Sequence, residues 1–231
     1  MYFIIIFRNI VYSRVQTMIV YKLCSIITIH IQGGTVQIRK STNIRRQQIV
    51  DIIRRIISTK GIEYVTLSEI AKRTGTTRGA IYRHFKSKRD ILSLLINNIE
   101  ETLMEAMDKA IIDKDPVQSL NNILLAQLIL AKNRRKTSFA VMMGAMQFSD
   151  LVIRRKILRL IQKYLTKIEN LLISAGKLGL INKNINCNMA AVAFMGLIQS
   201  TVTVWSYKNF NYVPQKIHAD LWNIYRQGIG V

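Results

Sequence analysis

The sequence predicts an all-α protein, and three observations carry that prediction. Only 2 prolines and 11 glycines punctuate 231 residues, too few for the closely spaced turns of a many-stranded sandwich. From Ser41 onward, apolar residues recur at i, i+3, i+4 and i+7, the spacing that lines one side of a helix. Apolar residues make up 49% of the chain and the mean hydropathy is +0.16, enough to fill a core and to exclude disorder as the main state.

Residues 1–40 stand apart as an apolar extension rich in Ile, Val, Tyr, Phe and Thr, with no helical period. A transmembrane span needs roughly 18 uninterrupted apolar residues, and Arg8, Arg14 and Lys22 cut this stretch into shorter runs. A signal peptide would carry charge ahead of its apolar run and end in small residues, whereas the chain opens Met1-Tyr2-Phe3-Ile4. The reading preferred is a native product that starts downstream, at Met18 or near Val36. A membrane-attached regulator using this segment is the alternative, and no membrane partner is expected.

Residues 41–88 read as a compact helical unit. Ile49, Ile52, Ile53, Ile56 and Ile57 form the apolar side of a first helix, with Arg45, Arg46, Asp51, Arg54 and Arg55 between them. Gly61 is expected to end it in the left-handed conformation. Thr66 and Glu69 offer a capping box for a second helix, whose Leu67, Ile70 and Ala71 precede Gly75. A third helix of about eight residues follows, capped by Thr77 and buried through Ala80, Ile81 and Phe85. Its other side presents Arg78, Gly79, Tyr82, Arg83 and His84. Lys86-Ser87-Lys88-Arg89-Asp90 then opens a long fourth helix with Ile91, Leu92, Leu95, Ile99 and Leu103 at helical spacing. Residues 89–231 form the second unit. After a linker at Asp113-Lys114-Asp115-Pro116, helices are expected near 117–136, 138–148, 150–175, 188–207 and 214–228.

Charge points to the partner. Lys and Arg total 34 against 13 Asp and Glu, a net +21, which favours a polyanion such as nucleic acid. Residues 41–89 concentrate it, with twelve bases against Asp51, Glu63 and Glu69. Two short helices joined at a glycine, the second with a polar outer side, make a helix-turn-helix whose second helix enters the major groove. Thr76, Thr77, Arg78 and Tyr82 fall where base edges and phosphates would lie. Arginine can fork onto guanine and hydroxyls can hold phosphates. The alternative from the residues alone is a helical hairpin with a solvated basic face.

The run from Thr66 to Lys88, above all Ala80-Ile81-Tyr82-Arg83-His84-Phe85-Lys86-Ser87-Lys88, resembles the DNA-binding signature of the TetR family of bacterial repressors. The resemblance extends upstream to Arg45 and downstream through Leu95. It implies that Thr66 meets phosphate, that Arg78 and Gly79 approach bases, that Thr77, Tyr82 and His84 touch the DNA backbone, and that Lys88 holds phosphate at the start of the fourth helix. Thr76 departs from the family, which more often has an apolar residue there. The C-terminal half is similar to the AcrR-like branch that regulates multidrug efflux pumps. Glu169-Asn170-Leu171-Leu172, Gly176-Lys177-Leu178-Gly179-Leu180, Met189-Ala190-Ala191, Gly196-Leu197-Ile198, Trp205 and Pro214 follow that branch's order. This implies a homodimer sealed by the last two helices and an apolar small-molecule effector bound in each subunit.

Effector contacts are proposed at Met142, Met143, Met146, Gln147, Glu169, Gln199 and Trp205. Methionine adapts to varied ligands, and ordinary core packing gives a Met stripe the same spacing. After Ile111 the chain holds five acids against sixteen bases, so a neutral or anionic apolar effector is favoured over a cation. Catalytic signatures are missing: there is no phosphate loop, no H-E-x-x-H and no nucleophile elbow, and His30, His84 and His218 lie far apart. Cys24 and Cys187 have no paired spacing, which excludes a disulfide scaffold or zinc finger and fits a reducing cytoplasm. No cofactor or metal is expected. The leading expectation is a ligand-released repressor on a palindromic double-stranded DNA operator, of an efflux pump or related operon. The alternative is a protein of the same fold that organises or protects the chromosome with no effector.

Overall fold

The computed structural model describes residues 42–134, 150–207 and 211–231, with two short strands at 30–31 and 34–35. The chain divides into two units, residues 1–44 and 45–231. In the first unit, β1 (His30–Ile31) pairs antiparallel with β2 (Gly34–Thr35). The described helical elements are α1 (Thr42–Thr59), a 3₁₀ turn at Ile62–Tyr64, α2 (Leu67–Thr74), α3 (Arg78–Tyr82), α4 (Lys88–Ala110), α5 (Pro116–Arg134), α6 (Leu151–Lys177), α7 (Cys187–Tyr207) and α8 (Pro214–Ile229). The expected helix at 138–148 lies outside the described residues.

Helix ends follow from local chemistry. Pro116, expected in the linker, is instead the first residue of α5, where a missing N–H costs nothing. The Asp115 carboxylate accepts the Gln118 N–H at 2.8 Å beside it. Asp150 caps α6, accepting from Val152 and Ile153 at 2.9 and 3.3 Å. Gly61 has φ 111° and ψ 167°, an extended conformation open to glycine and not the left-handed turn expected, because the chain leaves α1 directly into the 3₁₀ turn.

The core begins on α1, where Ile49, Ile53, Ile56 and Ile57 are buried as the periodicity predicts, with Val50 added. It continues through Ile70, Ala71, Ile81 and Phe85 to Ile91, Leu92, Leu95 and Ile99 of α4. The body is built on α6, which packs against α4, α5 and α7, while α8 packs on α5 and α7. Ile157, Tyr164, Ile168 and Leu172 of α6 join Leu120, Ile123, Leu124 and Leu128 of α5 and Phe194 and Ile198 of α7 in one cluster. Phe194 meets the Tyr225 ring edge-on, with centroids 5.0 Å apart. Inside this apolar body Gln127 and Tyr164 hydrogen-bond each other, Nε2 donating to the hydroxyl at 2.9 Å. Among the described residues α7 is the one helix long and apolar enough to cross a membrane by length and composition, and Ala190, Ala191, Phe194, Ile198, Val202 and Trp205 bury one side of it in the core.

The helix-turn-helix head is tied to the body along α4. Arg54 of α1 is almost buried and donates from Nη2 to Asn98 Oδ1 at 2.7 Å. Arg89, in the first turn of α4, meets Asp150 at 2.6 Å. Lys156 then reaches Asn97, Lys163 reaches Glu100 and Lys167 reaches Asp108, so α4 and α6 run side by side in the same direction.

Candidate nucleic-acid interface

Four capped helix ends hold the head. Thr66 Oγ1 accepts the Glu69 N–H at 3.1 Å, which is half of the expected capping box. The other half is absent because the Glu69 carboxylate turns to Arg73 at 2.8 Å and Lys60 at 3.2 Å. Their hydrogen bonds hold it below the usual carboxylate range. Gly75 closes α2 in the left-handed region, φ 64° and ψ 25°, where only glycine is unstrained. Thr77 Oγ1 accepts the Ala80 N–H at 3.2 Å and starts α3. α3 is five residues long, shorter than the eight expected, because the chain bends after Tyr82 to bury Phe85. A complete capping box at Ser87 and Asp90 starts α4, and sequence reasoning missed it behind the run of lysines.

Thr66, Thr77, Arg78, Gly79, Tyr82, His84 and Lys88 are each exposed. A Cβ at Gly79 would meet nothing within 4 Å, so no packing inside the chain demands a glycine there. Thr76 is half-buried, and its hydroxyl shares a 2.7 Å hydrogen bond with Thr74, whose Oγ1 bonds back to the Ile70 carbonyl. A polar residue is therefore satisfied within the turn at the position where an apolar one is more usual. Lys88 Nζ approaches the Glu63 carbonyl at 3.4 Å, across the mouth of the head. Arg83 and Lys86 are exposed as well. Neither is among the DNA contacts that the resemblance implies, although both were legible as outward cations beside Tyr82. Among the described residues Lys72, Arg78, Arg83 and Lys86 have no carboxylate partner, whereas Lys60 and Arg73 share Glu69.

Of the proposed effector residues, three lie among the described ones. Met142, Met143, Met146 and Gln147 lie outside the described residues. Glu169 is half-buried and accepts from Asn188 Nδ2 at 3.4 Å. Gln199 is half-buried on α7. Trp205 is buried and stacks on Tyr212 with centroids 3.6 Å apart.

A capped, outward-facing third helix on a cationic helix-turn-helix head, carried by an all-helical body, defines a DNA-binding regulator. The comparisons agree. Residues 49–95 match the family described as bacterial regulatory proteins, tetR family, and residues 90–226 match the YsiA-like protein C-terminal region. The chain belongs to the TetR family. It is 27% identical over 191 residues to the nucleoid occlusion factor SlmA of Vibrio campbellii, covering 79% of this chain and 94% of that one. It is 27% identical over 166 residues to the fatty acid metabolism regulator protein of Bacillus subtilis, covering 71% and 85%. It is 29% identical over 170 residues to the transcriptional regulator AcrR of Shigella flexneri, covering 70% and 78%. Among solved structures, FadR of Bacillus subtilis in complex with stearoyl-CoA shares the fold with TM-score 0.70 at 23% identity, covering 79% of this chain and 98% of that one.

Proposed function

We propose that the chain is a homodimeric transcriptional repressor, acting in the cytoplasm, that leaves a palindromic operator when an apolar small molecule binds its body. The observation that carries this reading is the α3 surface, where Arg78 and Gly79 stand exposed at the start of a helix fixed from behind by Ile81 and Phe85. Arg78 reads a base edge, Gly79 lets the backbone approach the bases, and Thr77, Tyr82 and His84 hold the sugar-phosphate backbone. Thr66 and Lys88 clamp phosphates on either side. Thr76 supports the turn.

Dimerisation is supported by α7, whose outward side carries Met189, Val192, Gly196, Ser200 and Tyr207 with no charge. Paired with α8 it would close a four-helix seam. Effector control is supported by the relative named as a fatty acid metabolism regulator. Its solved counterpart, which holds stearoyl-CoA, favours a long apolar chain as the effector. The AcrR relative keeps an efflux operon among the targets. Released dimers would occupy a conformer that binds operator less well, a population shift set by the effector's differential affinity.

The test is a screen of long-chain acyl-CoAs and hydrophobic dyes against the purified dimer. An effector at ~100 times its Kd adds about 2.7 kcal/mol of stability and should weaken operator binding over the same concentration range. Compounds that raise the melting temperature while operator affinity stays fixed would contradict release. That outcome favours a second reading, a chromosome-organising DNA-binding protein without effector, which the SlmA relatives support.

A further inference from the structure

The first half of α6 carries a surface that neither DNA reading nor effector release uses. Leu151, Leu158 and Leu165 recur every seven residues along it, and Leu151 and Leu158 are 60% and 61% exposed. A seven-residue repeat drifts by only about 20° per heptad on a straight helix, so the three leucines form one line. Leu151 and Leu158 lie apart from the buried Ile153, Ile157 and Leu160, and Leu165, half-buried, packs against the core and ends the line. Arg154, Arg155 and Arg159 flank it, all exposed. Among the described residues none of the three has a carboxylate partner, whereas Lys163 and Lys167, on the side turned to α4, each hold one.

We infer that this surface docks an acidic amphipathic helix of a partner protein. The two exposed leucines are apolar anchors one heptad apart on one side of a helix, and the charges beside such anchors select the partner helix. Here those charges are guanidiniums, so the complementary helix carries carboxylates beside its own apolar line. Nucleic acid would satisfy the arginines and leave the leucines in water. A second copy of the chain would add like charge to a molecule that already carries +21. The seam is also distinct from the uncharged side of α7 assigned to the dimer, so both can be occupied together. Asp150, which caps α6, holds Arg89 at 2.6 Å, so a helix seated on Leu151 and Arg154 lies close to the joint between head and body.

The probe is a labelled synthetic peptide of three heptads with leucine in the seam positions and glutamate beside them, titrated into the full chain at physiological ionic strength. Binding should weaken about tenfold or more in Leu158→Asp and in Arg155→Glu. A lysine-flanked version of the peptide should recover affinity for the Arg155→Glu protein while binding the unaltered protein poorly. Unchanged DNA affinity in both variants checks that they fold. Failure of the peptide to bind, or equal binding to the Leu158→Asp protein, would overturn the proposal. So would the same two substitutions abolishing binding to phosphatidylglycerol vesicles or to random duplex DNA while leaving the peptide unaffected.

Discussion

Arg78 and Lys88 are both exposed, and their proposed means of recognition differ. A guanidinium at the first turn of α3 can fork onto a base, whereas the Lys88 ammonium, already beside the Glu63 carbonyl, would act as a point charge on phosphate. Arg78→Ala is therefore expected to lose about 1–3 kcal/mol on the operator and to relax sequence preference. Lys88→Ala should weaken all sequences alike and reduce the salt slope by about one. Titrations at several salt concentrations separate them, and an Arg78→Ala protein with undiminished preference would remove that residue from base reading. The buried Gln127–Tyr164 pair makes a different residue-level prediction. Tyr164→Phe leaves the Gln127 amide without its partner and should cost about 1–3 kcal/mol, whereas the double change Gln127→Leu with Tyr164→Phe should be closer to neutral. Denaturant unfolding of the single and double variants gives the coupling directly. Burial also pushes the Tyr164 and Tyr225 hydroxyls up, and that of Tyr212 up to about 12. The folded state favours the neutral phenol, so this stability is present below the ordinary tyrosine value of about 10 and is lost as pH rises beyond it. Unfolding midpoints should fall above pH ~10, and less steeply in Tyr164→Phe.

The head is built from short elements whose ends matter more than their middles. α3 spans five residues, too short to hold itself, so its geometry rests on the Thr77 cap, the left-handed Gly75 and the burial of Ile81. Thr77→Ala should cost about 1 kcal/mol and Gly75→Ala about 1–2 kcal/mol. In the second case the cost is backbone strain alone, because a Cβ there would meet nothing within 4 Å. Both should reduce operator affinity by more than they lower the melting temperature. Equal effects on the two would show that α3 is not held at its ends. Much of this level was legible in the sequence, since caps and apolar spacing are local signals: Thr77, Gly75 and the isoleucines of α1 lie where their chemistry puts them. What was not legible depended on contacts distant in sequence or on competing partners. Glu69 leaves its box for two cations, Gly61 serves a 3₁₀ turn, and Asp90 was hidden in a basic run. The spacing of the effector residues does not by itself separate core packing from ligand contact, since both follow the same helical period.

At the scale of the whole molecule, the head would gain its reading power in the proposed homodimer by being presented twice. One five-residue helix offers few base contacts, whereas two copies held by the proposed dimer seam on α7 and α8 would double them and fix their separation. The α4–α6 seam, from Arg89–Asp150 to Lys167–Asp108, joins each head to the body that would set this separation. The most direct test of the central claim is selection from random double-stranded DNA by the purified full chain, sequencing the retained fragments. The account predicts an enriched palindrome with half-sites about one helical turn, ~10 bp, apart or a multiple of it, and loss of that enrichment in Arg78→Ala. Retention of DNA with no enriched motif, or an enriched motif indifferent to Arg78→Ala, would contradict it.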